Sequence, residues 1–424
     1  MRNSCFLLPA LRSLLPLALG LAAMTSPLAG QSDSAAALAH ARALLSSSPL
    51  IDGHNDLPWE IRKSKAAPMD VAAYDLGKPT GGMTDLARLR QGLVAGQFWS
   101  IYVPGEDRDS GYARIQLEEF DIARRMIAMY PDQLALALTA ADIEAAFKQK
   151  KIASLLGMEG GHAIENSLGA LRSYYALGAR YMTLTHNVTL DWADAALDSV
   201  KHNGLTTFGE EVVHEMNRMG MLVDLSHVSP AVMSKVMDIA EAPVIFSHSS
   251  CRALVDYPRN VPDSILARLR TNGGIVMVTF VPGFVSNEIR DAEAAEDSAV
   301  KQLTAGISDT VERDRLSSEY RKAHPLPRAT IAQVADHIEH ARQVAGVDHI
   351  GIGSDFDGID QGPLGLEDVS KFPNLFAELI RRGWSDDDLK KLAGQNLLRV
   401  MRQAEAVAKK LQTERQPSTM TIGS

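Results

Sequence analysis

The sequence has few cysteines, no cluster of basic residues and no apolar run long enough to cross a membrane. Only Cys251 lies beyond the apolar segment near the start of the chain, since the other cysteine is Cys5, so we expect no internal disulfide in the folded domain. Lysine and arginine are dispersed and the formal net charge is −9, which argues against a nucleic-acid or anionic-membrane surface. The composition therefore favours a globular enzyme with small-molecule substrates.

The start of the chain has the order of regions that is typical of a secretory signal. Arg2 and Arg12 flank a short first region, residues 14–24 are apolar, and a polar stretch begins at Gln31. We predict a signal peptide over residues 1–30. The protein is then exported to the periplasm or the extracellular space, and an uncleaved signal would tether it to the membrane.

Apolar runs alternate with amphipathic segments through residues 31–410, which predicts a single α/β domain, a (β/α)8 barrel of the TIM type. Several runs lack alternation, as expected for parallel strands buried on both faces. Residues 411–424 form a polar tail without the hydrophobic segment of a GPI anchor, so we expect no such anchor. The predicted strands are residues 49–53, 96–103, 152–158, 181–185, 221–225, 243–247, 274–280 and 349–353. The predicted helices are residues 35–45, 115–129, 168–177, 208–219, 230–240, 263–269 and 331–345.

Two segments interrupt this repeat and are expected to be insertions after strands. Residues 58–92 contain several prolines and glycines and resemble a long loop near the exit of the first strand. Residues 285–328 are rich in charge and lie between the seventh and eighth predicted strands. Insertions at such places form lids or substrate walls, and a solvated spacer is an equally open interpretation.

Six residues suited to binding metal ions or moving protons lie at or just beyond the end of a predicted strand. Because parallel strands of a barrel end at the same rim, these side chains should meet there. Buried charges without a cation or a partner would cost several kcal/mol each, and a metal centre removes that cost. No nucleophile elbow, phosphate-binding loop or dinucleotide fingerprint competes with this set. The six residues are His54, Asp56, Glu159, His227, His248 and Asp355.

The residue types indicate a zinc centre. His54 and Asp56 are two apart on a strand, so that both side chains point the same way. Imidazole and carboxylate groups without thiolate suit zinc, although other divalent ions remain open. Glu159 can bridge two cations about 3.5–4 Å apart, because its carboxylate has two oxygens. We therefore expect two zinc ions, one beside His54 and Asp56 and the other beside His227 and His248.

Other polar residues near the same rim suggest how a substrate is held. His186 ends the fourth strand and can polarise a carbonyl group, although a structural role is the alternative. Arg259 follows the sixth strand and can hold a carboxylate in bidentate fashion, although a surface ion pair is the alternative. Asp355 is the expected proton shuttle, whereas Asp357 is interpreted as a turn former. We assign His162 no direct role.

Seven strings in the sequence resemble the membrane dipeptidase family, peptidase family M19. They keep the order of that family and extend over residues 47–400, which is most of the chain. The strings are IDGHNDLP at 51–58, GMEGGH at 157–162, YMTLTHN at 181–187, VDLSHV at 223–228, PVIFSHS at 243–249, RNVPD at 259–263 and GIGSDFDG at 351–358.

The resemblance implies a binuclear zinc barrel that hydrolyses dipeptides through a metal-bridging hydroxide and tolerates a D-residue at the carboxyl end. It also implies a homodimer in many members. By this likeness the ligands of one zinc are His54, Asp56 and Glu159, and those of the other are Glu159, His227 and His248. The residues that contact the substrate are His186, Arg259 and Asp355.

Two alternatives remain open at this stage. A metal-dependent barrel of the amidohydrolase kind could act on non-peptide amides, lactones or esters, and it would need no clamp for a carboxylate. A non-catalytic exported binding protein would show loss of a metal ligand or of Asp355, and neither is lost. The sequence departs from mammalian members in lacking their disulfides and a tyrosine within residues 278–283, so the side-chain preference stays open.

Overall fold

Eight parallel strands close into a barrel in the computed structural model, which describes residues 27–106 and 111–423. The first strand pairs with both the second and the last, so the barrel sheet has no free edge. A further short strand at Leu134–Leu136 pairs with the start of the strand at Ile152–Glu159. The strands are β1 (Leu50–Asn55), β2 (Val94–Tyr102), β3 (Leu134–Leu136), β4 (Ile152–Glu159), β5 (Ala179–Thr183), β6 (Leu222–Asp224), β7 (Ile245–Phe246), β8 (Ile275–Val278) and β9 (Ile350–Ile352).

The predicted barrel is confirmed, and each of the eight predicted strands overlaps one strand of the barrel. The order around the barrel is β1, β2, β4, β5, β6, β7, β8 and β9, with β9 next to β1. The sequence does not predict β3, because a strand of three residues is too short to give a periodic signal.

Helices surround the barrel and begin at capping residues that the sequence supplies. Ser167 accepts a hydrogen bond from the backbone at the start of Leu168–Leu177, and Thr330 forms a capping box with Gln333 at the start of Ile331–Ala345. The α-helices are α1 (Pro27–Ser47), α2 (Leu57–Arg62), α3 (Leu86–Gln91), α4 (Tyr112–Met129), α5 (Ala140–Lys148), α6 (Leu168–Leu177), α7 (Thr207–Met219), α8 (Pro230–Ile239), α9 (Asp263–Leu266), α10 (Leu269–Asn272), α11 (Pro282–Val285), α12 (Asn287–Leu303), α13 (Thr310–Ala323), α14 (Ile331–Ala345), α15 (Phe372–Arg381), α16 (Asp386–Lys390) and α17 (Asn396–Glu414).

Both predicted insertions contain helices that the sequence analysis does not assign. Residues 58–92, expected as a loop, contain α3 and most of α2. Residues 285–328 form a helical pair, α12 and α13, joined by an ion pair between Arg321 and Glu296 (2.7 Å). None of the fourteen residues described in α13 is buried, so this helix lacks the apolar face from which a helix is predicted.

The ends of the chain and one helix also differ from the simple repeat. The predicted helix at 263–269 is divided into α9 and α10. Residues 1–26 of the predicted signal peptide lie outside the described residues. The last helix continues to Glu414, and the carbonyl of Ser418 then accepts a hydrogen bond from Arg172 (3.0 Å). Among the helices described, none is long and apolar enough to cross a membrane.

The interior of the barrel places one tyrosine directly below the rim. Tyr181 is buried, and its ring centroid lies 4.9 Å from that of Phe98. A Cβ atom at Gly157 would lie 2.0 Å from the Cζ atom of Tyr181, so glycine is required there for the ring to fit. The Tyr181 hydroxyl consequently reaches Nδ1 of His54 at 2.8 Å, which connects the packing of the barrel to the site above it.

Candidate active site

All six polar residues predicted at strand ends meet at the rim formed by the carboxyl ends of the barrel strands. Together with His186 they form three overlapping groups, and within each group the candidate ligand atoms lie within 4.8 Å of one another. Most of these side chains line a cavity of about 420 Å³. The groups are His54, Glu159 and His248; Glu159, His186 and His227; and His54, Asp56 and Asp355.

Two of these residues have a backbone conformation that is uncommon for residues with a side chain. The φ angle is 68° at His227 and 69° at Asp355, in the left-handed region. Hydrogen bonds hold both segments: Ala196 donates to the His227 carbonyl (2.7 Å), and Asp355 donates to the His54 carbonyl (3.2 Å). Strain of this kind costs about 1–3 kcal/mol, persists only where the surrounding structure enforces it, and concentrates at functional sites.

Glu159, at the end of β4, divides its two carboxylate oxygens between the two sides of the site. Its Oε2 atom lies 3.5 Å from Nε2 of His54 and accepts a hydrogen bond from Ser100 (3.0 Å). Its Oε1 atom lies 3.0 Å from Nε2 of His227 and 3.5 Å from Nε2 of His248. One carboxylate can therefore serve two cation positions.

The hydrogen bonds of two histidines leave their inward nitrogens unprotonated. Nδ1 of His227 lies 3.1 Å from the side-chain oxygen of Asn187 and donates to it. The Ser247 hydroxyl donates to Asp224 (2.6 Å), so its oxygen accepts from Nδ1 of His248 (2.8 Å). The two Nε2 atoms lie 2.9 Å apart with lone pairs facing each other. A cation held between them relieves this repulsion, so the residues fit a metal ion.

His54 completes the other side of the site. Its Nδ1 atom is bonded to Tyr181, and its Nε2 atom is buried without a hydrogen bond to any residue that the structure describes. Nε2 nevertheless lies 3.2 Å from Oδ2 of Asp56 and 3.9 Å from Oδ1 of Asp355. An imidazole nitrogen surrounded by carboxylate oxygens in this way is suited to share a cation with them.

The two sides of the site differ in charge. Burial disfavours a charged His54, but the negative charges around it, among them Asp56 and Glu159, hold its pKa well above the usual value. Burial holds the pKa values of His227 and His248 well below the usual value. The side with His54 therefore attracts positive charge, and the side with His227 and His248 offers neutral imidazoles.

The three residues expected to contact a substrate face the same cavity. Arg259 is buried, its Cζ atom lies 5.4 Å from the ring centroid of Phe284, and its Nη1 atom has no partner within the described chain. Burial lowers the pKa of Arg259 to about 10, so the guanidinium stays charged near neutral pH. His186 lies 4.0 Å from Glu159, and burial raises the pKa of Asp355 well above the usual value.

Asp357 and His162 both lie close to the rim and have structural hydrogen bonds. Asp357 has a φ of 64°, as a turn residue can, and its carboxylate accepts a hydrogen bond from the backbone of Met83 (2.5 Å). It therefore ties the first insertion to the loop after β9, and it also lines the cavity. Nε2 of His162 donates to the Val103 carbonyl (2.8 Å), and His162 does not line the main cavity.

Sequence reasoning missed the apolar walls of the cavity. Trp59 and Tyr102 meet edge to face at 5.0 Å, and Tyr257 stacks on Phe284 at 4.8 Å. Trp59 lies in the first insertion and Tyr102 ends β2, while Tyr257 lies in the loop around Arg259 and Phe284 in the short helix α11; no periodic pattern marks any of them as a cavity residue. The apolar or aromatic residues missed are Trp59, Tyr102, Leu197, Tyr257, Val281, Phe284 and Ile359, and the polar Lys63 and Asn187 were missed as well.

A parallel barrel with clustered imidazoles and carboxylates at its carboxyl rim belongs to the class of barrel metallohydrolases. The family model of the membrane dipeptidases, peptidase family M19, matches residues 38–415. The chain belongs to that family and is a metallo-dipeptidase.

Individual relatives agree with this assignment. Dipeptidase verJ of Clonostachys rogersoniana is 41% identical over 385 residues, which cover 88% of this chain and 89% of that protein. Dipeptidase 3 of Rattus norvegicus is 41% identical over 376 residues, covering 87% of this chain and 68% of that protein. The probable dipeptidase PvdM of Pseudomonas aeruginosa shares the fold with a TM-score of 0.75 at 25% identity, covering 88% of this chain and 99% of that chain.

Proposed function

We propose that this chain is a zinc-dependent dipeptidase that holds two zinc ions bridged by Glu159. The observation that carries the proposal is the divided carboxylate: Oε2 of Glu159 faces His54, and Oε1 faces His227 and His248. Asp56 adds a carboxylate on the His54 side. Each side thus offers three nitrogen or oxygen donors without thiolate, which is the number and kind of protein ligands that a catalytic zinc site uses.

The residues of the chain orient the dipeptide and move its protons. Zinc bound in this centre supplies a water of lowered pKa and polarises the scissile carbonyl. Arg259 binds the free carboxylate of the dipeptide in bidentate fashion. His186 donates a hydrogen bond to the carbonyl oxygen as negative charge develops on it. Asp355 takes the proton from the attacking water and delivers it to the nitrogen of the leaving amine.

The position of Arg259 limits the length of the substrate. Its guanidinium is buried and lines a cavity of only about 420 Å³, which it shares with Tyr257 and Phe284. A tripeptide with its carboxylate at Arg259 would place its second peptide bond, and not its first, near Glu159, so its extra residue would extend beyond the space that a dipeptide occupies. Dipeptides are therefore the preferred substrates.

We extend the proposal to dipeptides with a C-terminal D-residue and to export of the chain. A metallopeptidase of Rhodobacter sphaeroides that shares the fold (TM-score 0.69, 23% identity, 84% of this chain and 99% of that chain) was solved with a phosphinate mimic of L-Ala-D-Ala. For this chain, the D-residue rests on the family resemblance. Export rests on the signal-like composition of residues 1–30.

Hydrolysis of a small substrate panel tests the proposal. The panel contains L-Ala-L-Ala, L-Ala-D-Ala, Gly-D-Phe, a tripeptide and an aryl ester, each offered to zinc-loaded and chelator-treated protein. We expect zinc-dependent cleavage of the dipeptides, weak cleavage of the tripeptide, and loss of both activity and bound zinc in Glu159→Gln. Glu312→Gln, on the exposed helix α13, is the matched control and should behave as the parent protein.

Two results would contradict the proposal. Ester turnover without cleavage of any dipeptide would favour the alternative function, a metal-dependent hydrolase of non-peptide substrates. Full activity of Glu159→Gln, or of protein shown to be free of metal, would remove the binuclear centre from the chemistry.

A further inference from the structure

Asp224, the last residue of β6, is a fully buried carboxylate that does not line the substrate cavity. Four hydrogen bonds saturate its two oxygens. Oδ1 accepts from the backbone of Ser226 (3.1 Å) and of Ser247 (2.8 Å). Oδ2 accepts from the hydroxyls of Thr183 (2.5 Å) and Ser247 (2.6 Å). A carboxylate with four donors is held in one orientation in the barrel wall.

The hydroxyl of Ser247 transmits this orientation to a histidine. A hydroxyl has one proton, and the contact of 2.6 Å with Asp224 uses it, because an ionised carboxylate can only accept. The lone pairs of Ser247 are then free to accept from Nδ1 of His248 at 2.8 Å. The proton of this ring is thereby fixed on Nδ1, and the lone pair of Nε2 faces Oε1 of Glu159 at 3.5 Å.

We propose that Asp224 is a positioning residue for the metal centre. Acting through Ser247, it fixes the tautomer and the ring orientation of His248 and so sets the affinity of the zinc ion on that side. This inference rests on the proposed zinc centre.

The other side of the barrel shows a similar carboxylate without this connection. Asp52 accepts hydrogen bonds from Gln97 (2.9 Å) and from the hydroxyl of Ser354 (2.6 Å), but that hydroxyl contacts the backbone carbonyl of His54 (3.3 Å) and not its ring. The ring of His54 is held by Tyr181 instead. Asp224 therefore reaches the ring of a histidine through a hydroxyl, whereas Asp52 does not.

The substitution Asp224→Asn should reverse the tautomer. The amide oxygen must stay at the position of Oδ1, because two backbone N–H groups point at that position. The amide NH₂ group then occupies the position of Oδ2 and donates to the Ser247 oxygen. The Ser247 proton turns to Nδ1 of His248, which moves the ring proton to Nε2, the atom that should bind zinc.

The test measures zinc affinity of the full chain by competition with a chelator of known affinity. We expect Asp224→Asn and Ser247→Ala each to weaken the binding of one of the two zinc ions about 10- to 100-fold, the range found when a partner of a ligating histidine is lost. The double variant should be no weaker than the weaker single variant, because both act through one hydroxyl. Thr183→Val is the matched control: it removes an equally short bond to the same carboxylate but leaves Ser247 in place, so zinc affinity should stay at the parent value.

Thermal unfolding of the metal-free proteins separates positioning from folding. Zinc affinities of Asp224→Asn and Ser247→Ala equal to the parent value would overturn the inference, as would a double variant whose loss is the product of the single losses. Should Asp224→Asn fail to fold, a zinc affinity of Ser247→Ala equal to the parent value would still overturn the inference. A parent protein that binds no zinc would overturn the proposed function, whereas zinc binding that is insensitive to both substitutions would overturn only the role of Asp224.

Discussion

The barrel rim and the helical pair of α12 and α13 carry the same kinds of charged residues in opposite surroundings. At the rim the charged groups are buried, and atoms such as Nε2 of His54 and Nη1 of Arg259 have no hydrogen-bond partner in the described part of the chain. In α13 the charges are exposed and satisfy one another: Arg315 contacts Glu312 and Glu319, both at 2.7 Å.

The difference shows that the surroundings of a charge, and not the density of charge, indicate a functional site. A polar group buried without a partner costs free energy until an ion or a ligand completes it. An exposed ion pair adds little, because water and salt screen it. Unsatisfied atoms that gather around one cavity therefore mark a binding site, and substitutions should lose effect from the rim towards the helical pair.

Asp355→Asn should have the largest effect on the reaction. Its carboxylate is partly buried at the cavity, 3.9 Å from Nε2 of His54, and an amide cannot carry a proton from the attacking water to the leaving amine. We expect kcat to fall about 100- to 10,000-fold, the usual contribution of a general acid or base, with the zinc content unchanged. Metal analysis beside steady-state kinetics measures both quantities.

A matched control for this substitution is Asp291→Asn, whose side chain is 68% exposed on α12. It should leave kcat unchanged. Loss of a zinc ion from Asp355→Asn would instead assign Asp355 to the metal ligands, as its place beside His54 and Asp56 also allows, and would contradict its role as the proton carrier.

Arg259→Lys should have the next largest effect and act mainly on KM. Lysine keeps the charge but loses the planar fork that matches a carboxylate. A hydrogen bond to a charged group is worth about 1.5–3 kcal/mol, so kcat/KM should fall about 10- to 100-fold, with most of the change in KM. Arg290→Lys, at an arginine that contacts Asp291 on the helical pair, is the control. An unchanged KM would remove Arg259 from substrate binding.

The rim could be predicted from the sequence because two simple rules determine it. Parallel strands give short apolar runs, and the residue that follows such a run lies at the common rim. His54 and Asp56 follow one run and Glu159 ends another, so their meeting required no knowledge of distant contacts. The spacing of two in a strand also placed the first pair on one face.

The residues that support the rim could not be predicted in this way. Tyr181 and Asp224 look like ordinary strand residues, and their importance depends on contacts with His54, 127 positions away, and with Ser247, 23 positions away. The stacking of Tyr257 on Phe284 likewise joins a loop to the four-residue helix α11, and neither segment has a periodic pattern. Helix α13 was not predicted because its exposed charges give no apolar face.

Glu119 is a buried carboxyl outside the rim, and we expect that it lowers the stability of the fold without contributing to the active site. It lies in α4, its Oε2 atom has no partner among the described residues, and burial raises its pKa to about 8. The folded state therefore keeps a proton that the unfolded chain releases above about pH 4.5, so stability falls as pH rises from about 4.5 to 8. Glu119→Gln should remove this loss and raise the free energy of unfolding at pH 8 by up to about 4–5 kcal/mol, since each tenfold change in an ionisation equilibrium corresponds to about 1.4 kcal/mol and the pKa of this carboxyl rises from 4.5 to about 8 on folding.

The neighbouring Glu118 provides a control of opposite sign. A hydrogen bond from Arg62 (2.7 Å) lowers the pKa of Glu118, so its contribution to stability is present above the unfolded pKa and is lost as pH falls. Glu118→Gln should therefore destabilise the fold at pH 8 and have less effect in acid. Urea unfolding at pH 5 and pH 8 distinguishes the two, and destabilisation of Glu119→Gln at pH 8 would show that its ion pair with Arg62 (3.4 Å) outweighs burial.

The smallest effect is expected for Arg315→Ala on α13. This arginine has two well-placed partners, Glu312 and Glu319, which raise its pKa, but its side chain is 51% exposed and all three residues lie in solvent. Solvent screens both pairs, and the freed arginine side chain regains its conformational entropy. We expect no measurable change in Tm, in zinc affinity or in kcat/KM. A fall in kcat/KM at unchanged Tm would show that the helical pair takes part in substrate access. The exposed charges of α13 would then contribute to function, as the buried charges of the rim do.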